Sequence, residues 1–524
     1  MQPPVELPSD SPGAVRRARA WILERLRAVD RLGVDIGDWP GDKLATRFNV
    51  VQVLVWAVLG GYVLVTTGHF TYDQAYFYEL SVRTMEALRP PGYGPFVSGI
   101  AHSPLTPGGM LYVVLGVPFL FVKDPRWGMA WLHLLSVVGM LLFDAALRRL
   151  GARPAMRIAT LLLMGWSAEH ARATETFWNG DLFVFTTPVL LYLTARLVTE
   201  AAPKWLEALL FGLVGAVLVH THLSGAMAIF VCLGIWWVKR PETFTPGRLA
   251  LAAGVLALCY VPYFVAESWV GFINTHWLRG AVPSSVGQAV PSMLRSLLGP
   301  IAYATHAENP TQLWPPFLRG WVGWMIGLSG VGALVFALLG LAMRFPLKLA
   351  GVAVYAGVPV FFWLNGREYS DHYVQAVVPF FCLWAGAGAG WLLAAGGLRR
   401  VLTLGYLVAY CGVGVALLII ELREPVLHPV MPWNRMSVAY QVELVRQHLA
   451  RGDVPPSGYW DESAFTRAVV AKRLFGREMR FNVYGMQCTT EIRLTGLEPP
   501  PTQLPPGTVV MTLAANTIFL CQRP

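Results

Sequence analysis

Asp73 lies in the stretch His69-Phe70-Thr71-Tyr72-Asp73-Gln74-Ala75-Tyr76, just beyond a membrane-length apolar run at 46–67. A carboxylate held at the edge of a bilayer can take a proton from a hydroxyl, the work of a general base. Further on, His170, Arg172, Glu175 and Asp181 crowd the segment 169–181, and His220 and His222 flank Thr221. Arg367, Glu368, Asp371, His372 and Tyr373 form a last cluster. A guanidinium such as that of Arg172 matches phosphate oxygens bidentately. His-x-His on a helix points its rings to different faces, which argues against a shared metal at 220 and 222.

Those residues need a frame, and the composition supplies one. The chain has 524 residues, 55% apolar and 14% charged, with a mean hydropathy of +0.49, the profile of an integral membrane protein. Each crossing needs roughly 20 apolar residues, and loop backbone cannot face lipid, so the apolar runs must be helices. The 20 Trp suit interfacial belts. The formal net charge of +10 is met by basic loops on one side of the membrane and calls for no nucleic acid.

Residues 1–45 are Pro-rich and then basic, with no apolar core or small-residue cleavage site of a signal peptide. The expectation is a cytoplasmic amino terminus. Val15, Ala18, Ile22, Leu26 and Val29 share one helical face and suit an anchor on the inner leaflet; a solvated basic tail fits the same residues.

About 11 spans are expected, near 46–67, 127–147, 154–169, 182–198, 205–219, 223–238, 248–266, 321–341, 347–364, 372–393 and 401–420. The apolar segment 105–122 is interrupted by Pro107, Gly108, Gly109 and Pro118. Were it to cross, Arg148, Arg149 and Arg153 would land outside. Left uncrossed, it keeps these together inside with Lys204, Lys239, Arg240, Arg344 and Arg399, the positive-inside pattern. It is therefore read as a re-entrant or interfacial helix. Asp73, Glu79, His102 and the clusters at 169–181, 220–222 and 365–372 then all face out. So do the first external loop, 68–126, and the long loop 267–320, which could cover a site.

The bundle domain is read as 46–421, and 422–524 as a small extracytoplasmic soluble α/β domain. In it 440–449 and 465–474 read as helices, and 481–484, 509–513 and 518–520 as strands. The fold class is thus an all-α polytopic membrane bundle with a small C-terminal soluble α/β domain. Cys488 and Cys521 lie there, where a disulfide is possible; the other four cysteines lie in spans. No zinc-ligand spacing is present.

In order along the chain come a first span, Tyr72-Asp73-Gln74-Ala75-Tyr76, His102-Ser103-Pro104-Leu105, Arg148-Arg149-Leu150-Gly151, the segment 169–181 and Asp371-His372-Tyr373 leading to Pro379. Over 46 to about 395 this order resembles the C-type (GT-C) superfamily of integral membrane glycosyltransferases. Its nearest likeness is the bacterial protein mannosyltransferase and aminoarabinose transferase branch. The resemblance implies an external active site, a polyprenyl-phosphate-linked sugar donor, and a lipid, glycan or protein acceptor.

It also implies Asp73 as the catalytic base. The family's usual Asp-Glu is Asp73-Gln74 here, which weakens the case for a metal, since hard cations prefer clustered carboxylates. No cofactor is implied with certainty, and a divalent cation stays possible without a clear ligand cluster. The second acidic position falls on Asp181, with Glu175 as its rival, for acceptor or donor binding. His102, Arg172, Arg367 and His372 become donor-phosphate candidates, with Tyr373 lining the same cavity. His222 is a candidate for hydrogen bonding to sugar or phosphate.

Plainer readings stand beside these. Asp73 and Asp181 can cap helices, Arg172 can snorkel to the interface, His102 can be a turn residue before Pro104, and His222 can end a helix. The absence of a Gly-x-x-x-x-Gly-Lys loop or a dinucleotide fingerprint fits a lipid-linked donor better than a nucleotide sugar. The rival function is a multi-span transporter or flippase, which would place ionisable groups at mid-membrane.

Overall fold

The structure is a computed structural model that describes residues 12–67, 70, 72–96, 105–167, 170, 177, 180–269, 271–273, 275–276, 316–353, 357, 375–427, 438–451, 462–477, 480–483, 486–489, 508–514 and 517–522. In chain order the helices are α1 (Pro12–Arg31), α2 (Asp42–Thr67), α3 (Tyr72–Ala87), α4 (Gly109–Gly116), α5 (Pro125–Arg149), α6 (Pro154–Gly165), α7 (Phe183–Thr199), α8 (Trp205–Thr221), α9 (Gly225–Lys239), α10 (Pro246–Cys259), α11 (Val261–Trp269), α12 (Pro316–Ala342), α13 (Val378–Ala395), α14 (Gly397–Leu427), α15 (Val438–Arg451) and α16 (Glu462–Phe475). Among the described residues eight short strands accompany them: β1 (Val34–Asp35), β2 (Tyr93–Phe96), β3 (Leu105–Pro107), β4 (Met343–Arg344), β5 (Arg480–Val483), β6 (Met486–Thr489), β7 (Thr508–Ala514) and β8 (Thr517–Gln522).

Among the described residues, six helices are long and apolar enough to cross a membrane. The expected spans at 154–169, 205–219 and 223–238 are shorter apolar helices, and 321–341 falls within α12. The expected span 347–364 lies largely outside the described residues. The expected span 248–266 lies within Pro246–Trp269, one of these six, where α10 passes directly into α11 at Tyr260, whose amide donates to Ala257 O and Leu258 O.

Local chemistry sets the helix ends. Asp124 caps α5 by accepting the Arg126 amide, with Pro125 in the first turn and Arg148 and Arg149 in the last, each favourable there. Thr245 caps α10 through the Arg248 amide.

The buried centre is α13, packed on α6 and α12. Its run Ala385-Gly386-Ala387-Gly388-Ala389-Gly390 lets backbones meet, the small-residue device of membrane helix pairs. A Cβ on Gly388 would lie 2.0 Å from Phe336 O, and one on Gly386 1.9 Å from Thr160 Oγ1.

One end of the bundle is tied by cations. Arg157, fully buried, grips Asp144 through Nε at 2.9 Å and Nη2 at 2.7 Å, and also pairs with Asp42. Asn49 donates to the same Asp144 oxygen at 2.7 Å. Nearby, Arg149 pairs with Glu200 and Arg248 donates to Pro203 O. The C-terminal end of α5 and the N-terminal end of α8 therefore share this basic end. At the other end the α4 segment begins beside His220, at the last turn of α8, and returns at Lys123 and Asp124 to the start of α5. Both ends of the 105–122 segment thus lie at the end of the bundle away from the cations.

α14 continues past position 421 to Leu427. Beyond it, α15 and α16 pair with each other, and the four strands form a sheet ordered β5-β6-β8-β7, antiparallel throughout. Strand β6 was not anticipated from the sequence: it is four residues of mixed polarity, Met-Gln-Cys-Thr, without a β-branched run.

Candidate active site

Asp73 is in the first turn of α3, which starts at Tyr72; its side chain lies outside the described residues. That position is one step inside the helix rather than at the cap, and a carboxylate there sits favourably in the field of the helix amino terminus.

What holds α3 in place is well defined. Its apolar face, with Tyr76, Phe77, Tyr78 and Leu80, packs in one core with Leu111 and Leu115 of α4, Met129 and Leu132 of α5, and Val445, Val469 and Val470 of the C-terminal pair. Phe70 meets Tyr78 edge-on at 5.8 Å, and the Tyr78 hydroxyl donates to Lys123 O. On the same helix Glu79 is 2% exposed and accepts from Arg473 of α16, Nε to Oε2 at 2.6 Å and Nη2 to Oε1 at 2.6 Å. Arg83, one turn on, adds Nε to Oε1 at 2.8 Å. Arg473 also reaches Glu86, which in turn pairs with Lys123.

Burial alone would raise the Glu79 carboxyl pKa. The Arg473 hydrogen bonds and charge, then Arg83, outweigh it and hold the carboxyl below its ordinary range. The acid therefore stays ionised at neutral pH as a structural anchor.

Asp181 is buried in a single 3-10 turn, Gly180–Leu182, ahead of α7. The N-cap of α7 is Leu182, without a side-chain capping bond. Asp181 thus sits in the turn immediately before that cap. His222 ends α8, where its Nδ1 lies 2.9 Å from Ser224 Oγ and accepts the Ser224 amide at 3.2 Å, a helix-terminus role. His220 accepts the Met110 amide on Nδ1 at 3.2 Å and stands edge-on to Tyr260 at 4.6 Å, joining α4 to the bundle. His102, Arg172, Glu175, Arg367, His372 and Tyr373 lie outside the described residues.

Two polar groups at or beside these clusters are buried: His170, already part of the 169–181 cluster read from sequence, and Gln375, which was not singled out. His170 is buried against Trp56, ring centroids 5.5 Å apart, and neither ring nitrogen has a hydrogen-bond partner among the described residues. Burial, and secondarily His133, pushes its pKa down to about 3, so the ring is neutral and offers one donor and one acceptor. Gln375, directly after the 367–373 cluster, is buried with both amide atoms unpartnered among the described residues. Among the described residues no group of three His, Cys, Asp or Glu side chains could hold a metal ion.

The chain is similar to ArnT from Cupriavidus metallidurans bound to undecaprenyl phosphate. The two share 15% identity over 90% of this chain and 97% of that one, with a TM-score of 0.48. It is also similar to the Archaeoglobus fulgidus oligosaccharyltransferase tethered to an acceptor peptide (12% identity, 80% of this chain and 63% of that chain, TM-score 0.40). A third likeness is the mycobacterial arabinofuranosyltransferase AftD (14%, 76% and 28%, TM-score 0.43). No family model matches the chain, and no curated protein matches it.

Proposed function

We propose that the chain is a membrane glycosyltransferase that moves a sugar from a polyprenyl-phosphate donor to a hydroxyl of a lipid, glycan or protein acceptor on the extracytoplasmic side. The observation that carries the reading is the immobilisation of α3. A helix at the non-basic end of an apolar bundle, bearing a carboxylate in its first turn, is fastened from three sides by Arg473, Lys123 and the core beneath Tyr78. A general base must be held within hydrogen-bond reach of the proton it takes, and so fixed a helix is suited to that.

In this reading Asp73 accepts the proton of the acceptor hydroxyl as its oxygen bonds to the anomeric carbon. The bond from that carbon to the phosphate oxygen breaks, and the polyprenyl phosphate leaves with the electron pair. Arg172, His102, Arg367 and His372 are the candidates to stabilise the phosphate charge, with Tyr373, Asp181 and Glu175 orienting donor and acceptor. His170 and Gln375, neutral and without hydrogen-bond partners among the described residues, suit sugar hydroxyls. The basic end, with the amino terminus, is cytoplasmic, and the C-terminal domain is outside.

The test is transfer of radiolabelled sugar from polyprenyl-phosphate donors by purified protein. Asp73→Asn should insert and fold as the wild type yet transfer nothing measurable, and turnover retained in that variant would remove the mechanism.

A further inference from the structure

At the basic end, far from α3, the chain builds a cavity of about 690 Å³ from four separate segments: the end of α1 with β1, the 151–153 turn, the end of α9, and β4. Its walls are firmly assembled. Arg27 donates to Val238 O at 2.7 Å and to Lys239 O at 3.4 Å, capping the last carbonyls of α9. Lys239 pairs with Asp30 at 2.6 Å, Arg153 pairs with Asp35, and β1 lies parallel to β4 with Asp35 opposite Arg344.

The charge does not balance. Arg27, Arg31, Arg153, Lys239 and Arg344 line the cavity against Asp30, Asp35 and Glu242, five cations to three carboxylates. All three carboxylates are in ion pairs, Glu242 with Arg240. Arg31 and Arg344 have no hydrogen bond or ion pair among the described residues. Two guanidinium forks are thus left facing one preformed, electropositive hollow. Leu32 and Val34, between the lining residues Arg31 and Asp35, are 60% and 52% exposed, and further back on α1 Trp21 and Ile22 are 58% and 41% exposed. Exposed Trp and aliphatic side chains next to basic residues are the composition of a membrane-interface surface.

We propose that this cavity binds a phosphate group through Arg31 and Arg344, presented by the headgroup of an anionic phospholipid in the leaflet at the basic end. Guanidinium forks suit phosphate oxygens geometrically, and a basic pocket at helix ends on a membrane face is the form that headgroup recognition takes. The site lies at the opposite end of the bundle from α3, so it stands or falls independently of the transferase reading.

The experiment is native mass spectrometry of the whole detergent-solubilised protein titrated with phosphatidylglycerol or, in parallel, phosphatidylcholine. At about fivefold per cation near a surface, Arg31→Gln with Arg344→Gln should weaken phosphatidylglycerol binding roughly 20- to 30-fold. Lys43→Gln with Arg47→Gln removes the same charge from the outer surface of α2 and should change it less than about threefold. Inorganic phosphate added in competition separates the sources. Displacement of the lipid at millimolar phosphate means the phosphate alone is recognised, and lipid binding that resists it means the headgroup is needed; both support the site. Equal binding by wild type and the double variant, equal loss in the α2 control, or equal affinity for phosphatidylcholine overturns it. The single variants carry the same comparison if the double variant does not fold.

Discussion

Arg473 of α16 grips both carboxylate oxygens of Glu79 in α3 at 2.6 Å, joining residues 394 positions apart in the chain. Both partners are largely removed from water, at 11% and 2% side-chain exposure. Removing one partner of a buried pair costs up to about 3–5 kcal/mol when the other charge is left uncompensated; here Arg83 still pairs with Glu79, so the loss is smaller, and removing both partners costs less still. Arg473→Gln should therefore release the α15–α16 pair from the bundle, seen as faster amide exchange in residues 438–451 and 462–475. The double variant with Glu79→Gln should recover most of the protection. Equal protection in wild type and Arg473→Gln would show that the apolar contacts alone hold the domain.

The same pair sets a pH dependence. The Glu79 carboxyl is held below its ordinary value of 4.5 because Arg473 and Arg83 outweigh the effect of burial. A group with a depressed folded-state pKa contributes stability that is complete above its unfolded value and lost as pH falls through the folded one. Docking of α16 should be flat from about pH 6 to 9 and weaken only below 4.5. Limited proteolysis across that range checks it, and loosening near pH 6.5 would point to a histidine instead.

The apolar helical bundle and the gathering of basic residues at one end were legible because hydropathy and loop charge act locally, over windows that a sequence displays directly. Arg148, Arg149 and Arg153 do sit at one end with Asp42, Asp35 and Glu200 as partners. Glu79 with Arg83 was legible as an i, i+4 pair. Its stronger partner was not, since Arg473 sits in an amphipathic helix whose register on α3 is decided by packing. The fate of His170 was equally hidden: a histidine in a polar stretch reads as exposed, and only the fold puts Trp56 against it.

Strand register brings Cys488 of β6 opposite Cys521 of β8. Opposed residues in antiparallel strands have Cα atoms about 4.5–5.5 Å apart, inside the range of about 4.4–6.8 Å that a disulfide spans. With the domain on the oxidising side, as proposed, the two should be joined in protein purified without reductant. Peptide mapping under non-reducing conditions should recover one cross-linked peptide containing both. Two separately alkylated cysteines would place this domain in a reducing compartment.

Gly388 is the tightest point between α12 and α13. A side chain there meets the Phe336 carbonyl, which is backbone and cannot swing aside. Gly388→Leu should abolish recovery of monodisperse protein. Gly412→Ala, in α14 with nothing among the described residues within 4 Å of the added Cβ, should behave as wild type and even gain roughly 0.5–1 kcal/mol of helix propensity. Size-exclusion profiles and melting temperatures of the pair give the comparison.

If the clamp positions the base, clamp and base should fail differently. Asp73→Asn removes the proton acceptor and leaves the Arg473–Glu79 pair intact, so exchange protection in α16 should be unchanged while transfer disappears. Arg473→Gln keeps the acceptor but frees the helix that carries it. A carboxylate that samples positions outside hydrogen-bond reach lowers the fraction of productive complexes, and a misplacement of about 1 Å can cost roughly 100-fold. The expected signature is a fall in kcat of about 10- to 100-fold with little change in donor KM, recovered in part by Arg473→Lys, which restores a charge without the fork. A loss confined to donor KM would instead assign α16 to substrate binding.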